Sequence, residues 1–139
     1  MTEPRLTIRI RYEPTGNRYQ IVRDGSVLSD HPTKEAAVAV IREMGARVAA
    51  VWSRTDLGSG PLHADFVAKV LDEEIGRIMR IPHGQREGEW SWSMTAYKKV
   101  NAFKMALHGS LATKQEAARM VELAYTLCKE DRPDFKPDR

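Results

Sequence analysis

Leu6, Ile8, Ile10 and Tyr12 alternate with Thr7, Arg9 and Arg11 at the start of the chain. This strict period of two predicts a strand with one buried and one solvated face. Pro14-Thr15-Gly16-Asn17 supplies turn chemistry, and Arg18 to Arg23 predicts the returning strand, with Tyr19 and Ile21 turned to the core. Asp24-Gly25 is a two-residue hairpin signal, and a short third strand over Ser26 to Ser29 completes an antiparallel meander.

After His31-Pro32-Thr33 the period changes. Thr33 suits an N-cap, with Glu35 placed to complement the helix dipole. Ala37, Val40, Ile41, Met44, Val48, Val51 and Trp52 then recur at helical spacing. Gly45 costs about 1 kcal/mol relative to alanine inside a helix, but the stripe stays in phase beyond it, through Ala46, Ala49 and Ala50. The pattern predicts one helix over Thr33–Ser53, lying on the apolar face of the meander.

Asp56-Leu57-Gly58-Ser59-Gly60-Pro61 reads as a linker. Beyond it, Ala64–Leu71 and Glu74–Ile81 predict two strands around Asp72-Glu73, and Pro82–Gly88 a polar loop. Glu89–Tyr97 follows as a third strand with Trp90, Trp92, Met94 and Ala96 on one face. Lys98–Lys104 reads as a loop and Met105–Leu111 as a fourth strand. Thr113-Lys114-Gln115-Glu116 is a capping box opening a helix to about Glu130, against which Trp90 and Trp92 are both expected to be buried. The expected class is α+β, antiparallel β-meanders each packed on one α-helix. The predicted division is residues 1–55 and 62–132 as two such units, 56–61 as the linker and 133–139 as a flexible tail. Thr33-Lys34-Glu35-Ala36 and Thr113-Lys114-Gln115-Glu116 open the two helices alike; duplication, or the common preference for such helix starts, accounts for this equally well.

Composition adds exclusions. The 139 residues are 42% hydrophobic and 29% charged, with a net charge of +3, which excludes a disordered, collagenous or coiled-coil chain. No apolar run approaches the roughly 18–20 residues of a membrane span, and Met1–Arg5 lacks the apolar core of a signal peptide. The single cysteine, Cys128, excludes an internal disulfide and fits a cytoplasmic location.

An enzyme is not expected. His31, His63, His83 and His108 lie 20 or more positions apart and form no metal-ligand pair. Nucleophile-elbow, phosphate-loop and dinucleotide motifs are missing from the sequence. Asp72, Glu73 and Glu74 suit a solvated turn, and Cys128 sits on an apolar helix stripe as a structural thiol. No metal and no cofactor is expected.

Nucleic-acid binding has more support. Residues 5 to 23 hold five arginines and one acid, Glu13, a local excess of +4. If Ile8 and Ile10 face the helix, Arg9 and Arg11 face away, with Arg18 and Arg23 on the neighbouring strand, where guanidinium forks could meet phosphates. Tyr97, Lys98, Lys99 and Lys104 form a second patch of cations beside aromatics that could hold phosphates and stack a base. Solubility alone also places arginine on exposed strand faces. The alternative is a small protein-binding adaptor or inhibitor, acting through edge strands or an exposed aromatic surface, with a homodimer through those edges as one form.

Two resemblances bear on this. Ile75-Gly76-Arg77-Ile78, Gly88-Glu89-Trp90-Ser91-Trp92-Ser93 and Gly109-Ser110-Leu111-Ala112-Thr113 with Glu116-Ala117-Ala118 resemble small uncharacterised bacterial and prophage proteins, a group that implies no activity. Arg18–Arg23 followed by Thr33-Lys34-Glu35-Ala36 resembles the arm-binding domains of phage-type integrases, whose three-stranded sheets dock into a DNA groove. The integrase catalytic residues have no counterpart in this chain. Together these imply a non-catalytic protein of phage or mobile-element type.

Overall fold

The alternation at the start of the chain produces what a two-residue period demands: Ile8 and Ile10 are buried while Thr7, Arg9 and Arg11 are exposed. The computed structural model describes residues 6–56, 58, 60–96 and 107–127. Strand β1 (Thr7–Glu13) pairs antiparallel with β2 (Arg18–Arg23), and β2 with β3 (Ser26–His31). Asp24 and Gly25 both take positive φ, 51° and 81°, as a two-residue hairpin turn of matching twist requires. Helix α1 (Lys34–Glu43) follows, its first turn capped by the Thr33 hydroxyl, which accepts from Ala36 N at 3.0 Å.

The helix expected to reach Ser53 stops at Glu43. Gly45 adopts a left-handed φ of 73°; its N–H donates to Arg42 O at 3.0 Å, and that of Ala46 to Ile41 O at 3.2 Å. These two bonds form a Schellman close, satisfying carbonyls that a continuing helix would have bonded otherwise. The apolar residues beyond Gly45 belong instead to β4 (Arg47–Val48) and β5 (Val51–Asp56). Val51 is 64% exposed, although the helical stripe placed it in the core.

Arg47 N donates to Leu6 O and Ala49 N to Ile8 O, both at 2.9 Å, so β4 runs parallel to β1. The first sheet therefore has the order β3-β2-β1-β4, with one parallel pair beside its antiparallel meander. The chain crosses to the second sheet at Ala49 and Ala50. Asp56 to Pro61, read above as a linker, closes the hairpin between β5 and β6 (Pro61–Val70), where Asp56 Oδ1 accepts from Gly58 N and Gly60 N. Strands β7 (Glu73–Arg80), β8 (Trp90–Met94) and β9 (His108–Leu111) complete an antiparallel sheet of order β5-β6-β7-β8-β9. Helix α2 (Lys114–Leu127) opens on the expected capping box, with Thr113 and Glu116 bonded reciprocally. The described residues thus form an α+β fold of mostly antiparallel sheets and two helices.

One cluster of buried apolar side chains joins the two sheets. Ile8, Ile10 and Ile21 meet Ala37, Val38 and Ile41, while Ile78, Trp92 and Met94 meet Ala117, Val121 and Ala124. Trp92 is buried at 5% exposure; Trp90 is only half-buried and lies against Phe66, ring centroids 6.2 Å apart. The six residues Val121 to Thr126 are all buried, because α2 has the second sheet on one side and β4 with α1 on the other.

Polar groups on α2 serve the crossing. Glu122 accepts from Arg47 Nε and Ala50 N, each at 2.9 Å, and from the Trp52 indole at 3.3 Å. The Thr126 hydroxyl accepts from Val48 N at 2.9 Å, and its carbonyl accepts from Arg42 Nε at 2.8 Å. Glu122→Ala leaves those donors with no carboxylate and should cost about 3–5 kcal/mol in urea unfolding. On β7, a Cβ at Gly76 would lie 2.5 Å from both Ser93 O and Val121 Cγ1. Gly76→Ala should therefore push α2 off the sheet and lower stability by roughly 1–3 kcal/mol, read as a reduced melting temperature.

Candidate functional site

Register places Arg9 opposite Val22, Arg11 opposite Gln20 and Glu13 opposite Arg18. These side chains share the face of the first sheet turned away from α1. Arg23, at the hairpin end and one position out of phase with Arg18 and Gln20, lines a shallow concavity with Thr7, Arg9 and Val22. The expected cations are nonetheless partly engaged. Arg11 donates from Nε and Nη2 to Gln20 Oε1 at 3.0 and 2.6 Å. Arg18 pairs with Asp30 at 3.1 Å, and Arg23 reaches Asp24 at 3.8 Å. Arg9 makes no hydrogen bond or ion pair among the described residues. Glu13, Asp24 and Asp30 offset all but one of the four positive charges on these strands. Tyr97, Lys98, Lys99 and Lys104 lie outside the described residues, as does Cys128.

A second polar constellation lies on the face of the second sheet turned away from α2. Asp65 is buried although it faces outward, because Thr55 and Arg77 close over it. Asp65 Oδ1 accepts from the Thr55 hydroxyl and from Arg77 Nε, each at 2.7 Å, while Oδ2 takes Arg77 Nη2 in a two-pronged pair. Arg77's hydrogen bonds hold the Asp65 carboxyl below the usual carboxylate range, against the opposing effect of burial; the Thr55 hydroxyl lowers it further. Asp65 in turn raises the Arg77 guanidinium above its ordinary value. With both oxygens engaged and the acid form disfavoured, this carboxylate clamps β5, β6 and β7 together and is unsuited to proton transfer. The sequence gives little sign of it, since its members are 10 and 12 positions apart.

The histidines do not converge: His31 Nε2 shares a hydrogen bond with Ser29 Oγ at 2.8 Å, while His63, His83 and His108 are exposed. Among the described residues no three His, Cys, Asp or Glu side chains gather as a metal site would need, and no helix is long and apolar enough to cross a membrane. A groove of about 880 Å³ lies between the turn end of β1 and β2, the start of α1 and the β6–β7 turn. Tyr12 and Tyr19 line it, a pair that sequence reading assigned only to the buried side of its strands. Comparison with protein-family models, curated proteins and solved structures finds no match.

The Asp65 carboxyl is lowered in the folded state, so its contribution to stability is present at neutral pH. It is lost as pH falls from the unfolded carboxylate value of about 4 through the lower folded one. Asp65→Asn should be less stable than the parent at pH 7, and the difference should shrink towards pH 2. A constant difference across that range in urea titrations would contradict the clamp.

Proposed function

We propose that this chain is a non-catalytic nucleic-acid-binding protein of phage or mobile-element type, working in the cytoplasm. In this reading it is built from two meander-plus-helix units, and the first sheet supplies the contact surface. The observation that carries the reading is Arg9, exposed on the sheet face away from both helices and without a protein partner among the described residues, beside Arg11, whose one contact there is a neutral amide. A free guanidinium next to one held by an amide acceptor offers two donor forks to phosphate oxygens at little desolvation cost. Arg18 is a weaker contributor because Asp30 already occupies it. Lys98, Lys99, Lys104 and Tyr97 remain proposed secondary contacts, and Arg23 a peripheral one.

A second reading is favoured by β3. It is an outer strand of its sheet, and Val27 and Leu28 are 46% and 47% exposed upon it. Such an edge can accept an extended segment from a protein partner or a second copy, although the irregular register beside Val22 blunts it.

Gel shifts over duplex DNA, single strands and RNA at two salt concentrations separate the two. Neutralising each duplex phosphate contributes a log–log salt slope of about −0.9. Replacing Arg9 and Arg11 together by glutamine should make the slope shallower by about two units, while stability changes by less than ~1 kcal/mol. Absence of binding to any nucleic acid at low salt would sink this reading and leave the β3 edge as the better candidate.

A further inference from the structure

We propose that the groove between β1, α1 and the β6–β7 turn is a docking site for a basic peptide segment, receiving an arginine side chain over the Tyr12–Tyr19 pair. The two rings lie 5.1 Å apart at a 51° tilt, and Tyr12 remains 41% exposed. The Tyr12 hydroxyl donates to Asn17 Oδ1 at 2.6 Å, fixing one ring before any ligand arrives. Asn17 itself has a positive φ of 51°, so the turn between β1 and β2 sets the position of that acceptor.

The charge around the rings decides which ligand fits. Among the described residues that line the groove, the acids Glu35, Asp72 and Glu73 stand beside one cation, Lys34, and Asp72 is the exposed one. The Lys34 ammonium is engaged by Glu73 Oε1 at 2.6 Å, which also accepts from the Tyr125 hydroxyl at 3.1 Å. The described lining therefore carries a net negative charge, with Asp72 exposed on the turn where Leu71 takes a φ of 57°. The start of α1 does not reverse this sign, because Thr33 caps it and Glu35 sits in its first turn. Aromatic faces beside carboxylates favour a planar cation: the rings attract it through their quadrupoles and the acids through charge. A nucleic-acid backbone is repelled by the same wall. A groove of about 880 Å³ exceeds one side chain and accommodates a short extended segment with its arginine inserted.

This site uses the face of β1 and β2 opposite to Arg9 and Arg11, so it stands or falls separately from the nucleic-acid reading. The test is an amide chemical-shift titration of the full chain with a short amidated peptide of alternating glycine and arginine. The expected result is saturable shifts at Tyr12, Asn17, Lys34 and Asp72, weakened by salt. The peptide with glutamate replacing arginine should leave these amides unmoved. Tyr12→Ala should weaken binding by about two- to tenfold, while Tyr12→Phe retains it, which separates ring stacking from loss of fold. Asp72→Asn, on an exposed turn, should weaken it about twofold, and the Arg9→Gln, Arg11→Gln pair should not. Unmoved groove amides at millimolar peptide, equal binding of the glutamate peptide, or a single-stranded oligonucleotide shifting the same amides would overturn the proposal.

Discussion

A carboxylate buried on α2 holds the two halves of this chain in one arrangement. Between β4 and β5 the backbone leaves one sheet for the other, and its N–H groups at Val48 and Ala50 have no ladder partner there. Thr126 and Glu122 supply the missing acceptors from a single helix face. Arg47 balances the charge of Glu122 at 2.9 Å, and both side chains are about nine-tenths buried. A polar group taken out of water must be bonded or it destabilises the fold, so these contacts restrict where α2 can lie. An apolar seam alone would allow the helix to slide.

That placement propagates. With Glu122 and Thr126 facing the crossing, Val121 and Ala124 are directed at β7 and β8, where Gly76 leaves the space that Val121 fills. On β9, Gly109 likewise admits the Trp92 indole, since a Cβ there would lie 3.0 Å from Trp92 Nε1. Tyr125, fully buried on the same helix, carries its hydroxyl to Glu73, and Glu73 holds Lys34 at the start of α1. One helix therefore links the crossing, the second sheet and the wall of the tyrosine groove. Glu122 and Tyr125 share the helix that reaches the groove wall, so variants at Glu122 should be checked for fold before any binding result is interpreted.

The parts of the fold governed by local chemistry were legible in the sequence: the period-two strands, the Asp24-Gly25 hairpin and the Thr33 and Thr113 helix starts. The hydrophobic pattern overruns the end of α1 because Val48, Val51 and Trp52 continue the helical stripe by coincidence of spacing. Gly45 is the contrary signal, and the apolar residues beyond it belong to two strands. Glu122 was illegible for a different reason. A glutamate flanking an apolar stripe reads as solvated unless the helix is known to be covered on two sides. The same gap hid Asp65, whose partners come from adjacent strands. Of the candidate site, the outward direction of Arg9 and Arg11 followed from alternation, whereas the acids facing Arg18 and Arg23 depended on turn and pairing geometry.

Alternation along β1 also explains why two opposite chemistries arise from one strand pair. Successive side chains must point to opposite faces, so the residues that put Arg9 and Arg11 outward put Ile8, Ile10 and Tyr12 inward. α1 is only ten residues long, and it covers Ile8 and Ile10 fully but leaves Tyr12 at the mouth of the groove. Lengthening that cover would bury the ring; moving the strand register by one residue would send arginine into the core. The positive face and the acidic, tyrosine-lined groove are thus bound to each other by the pleat of the strand. Conservative replacements that keep the pattern can alter one surface without disturbing the other, which makes the two binding proposals separable within one small fold.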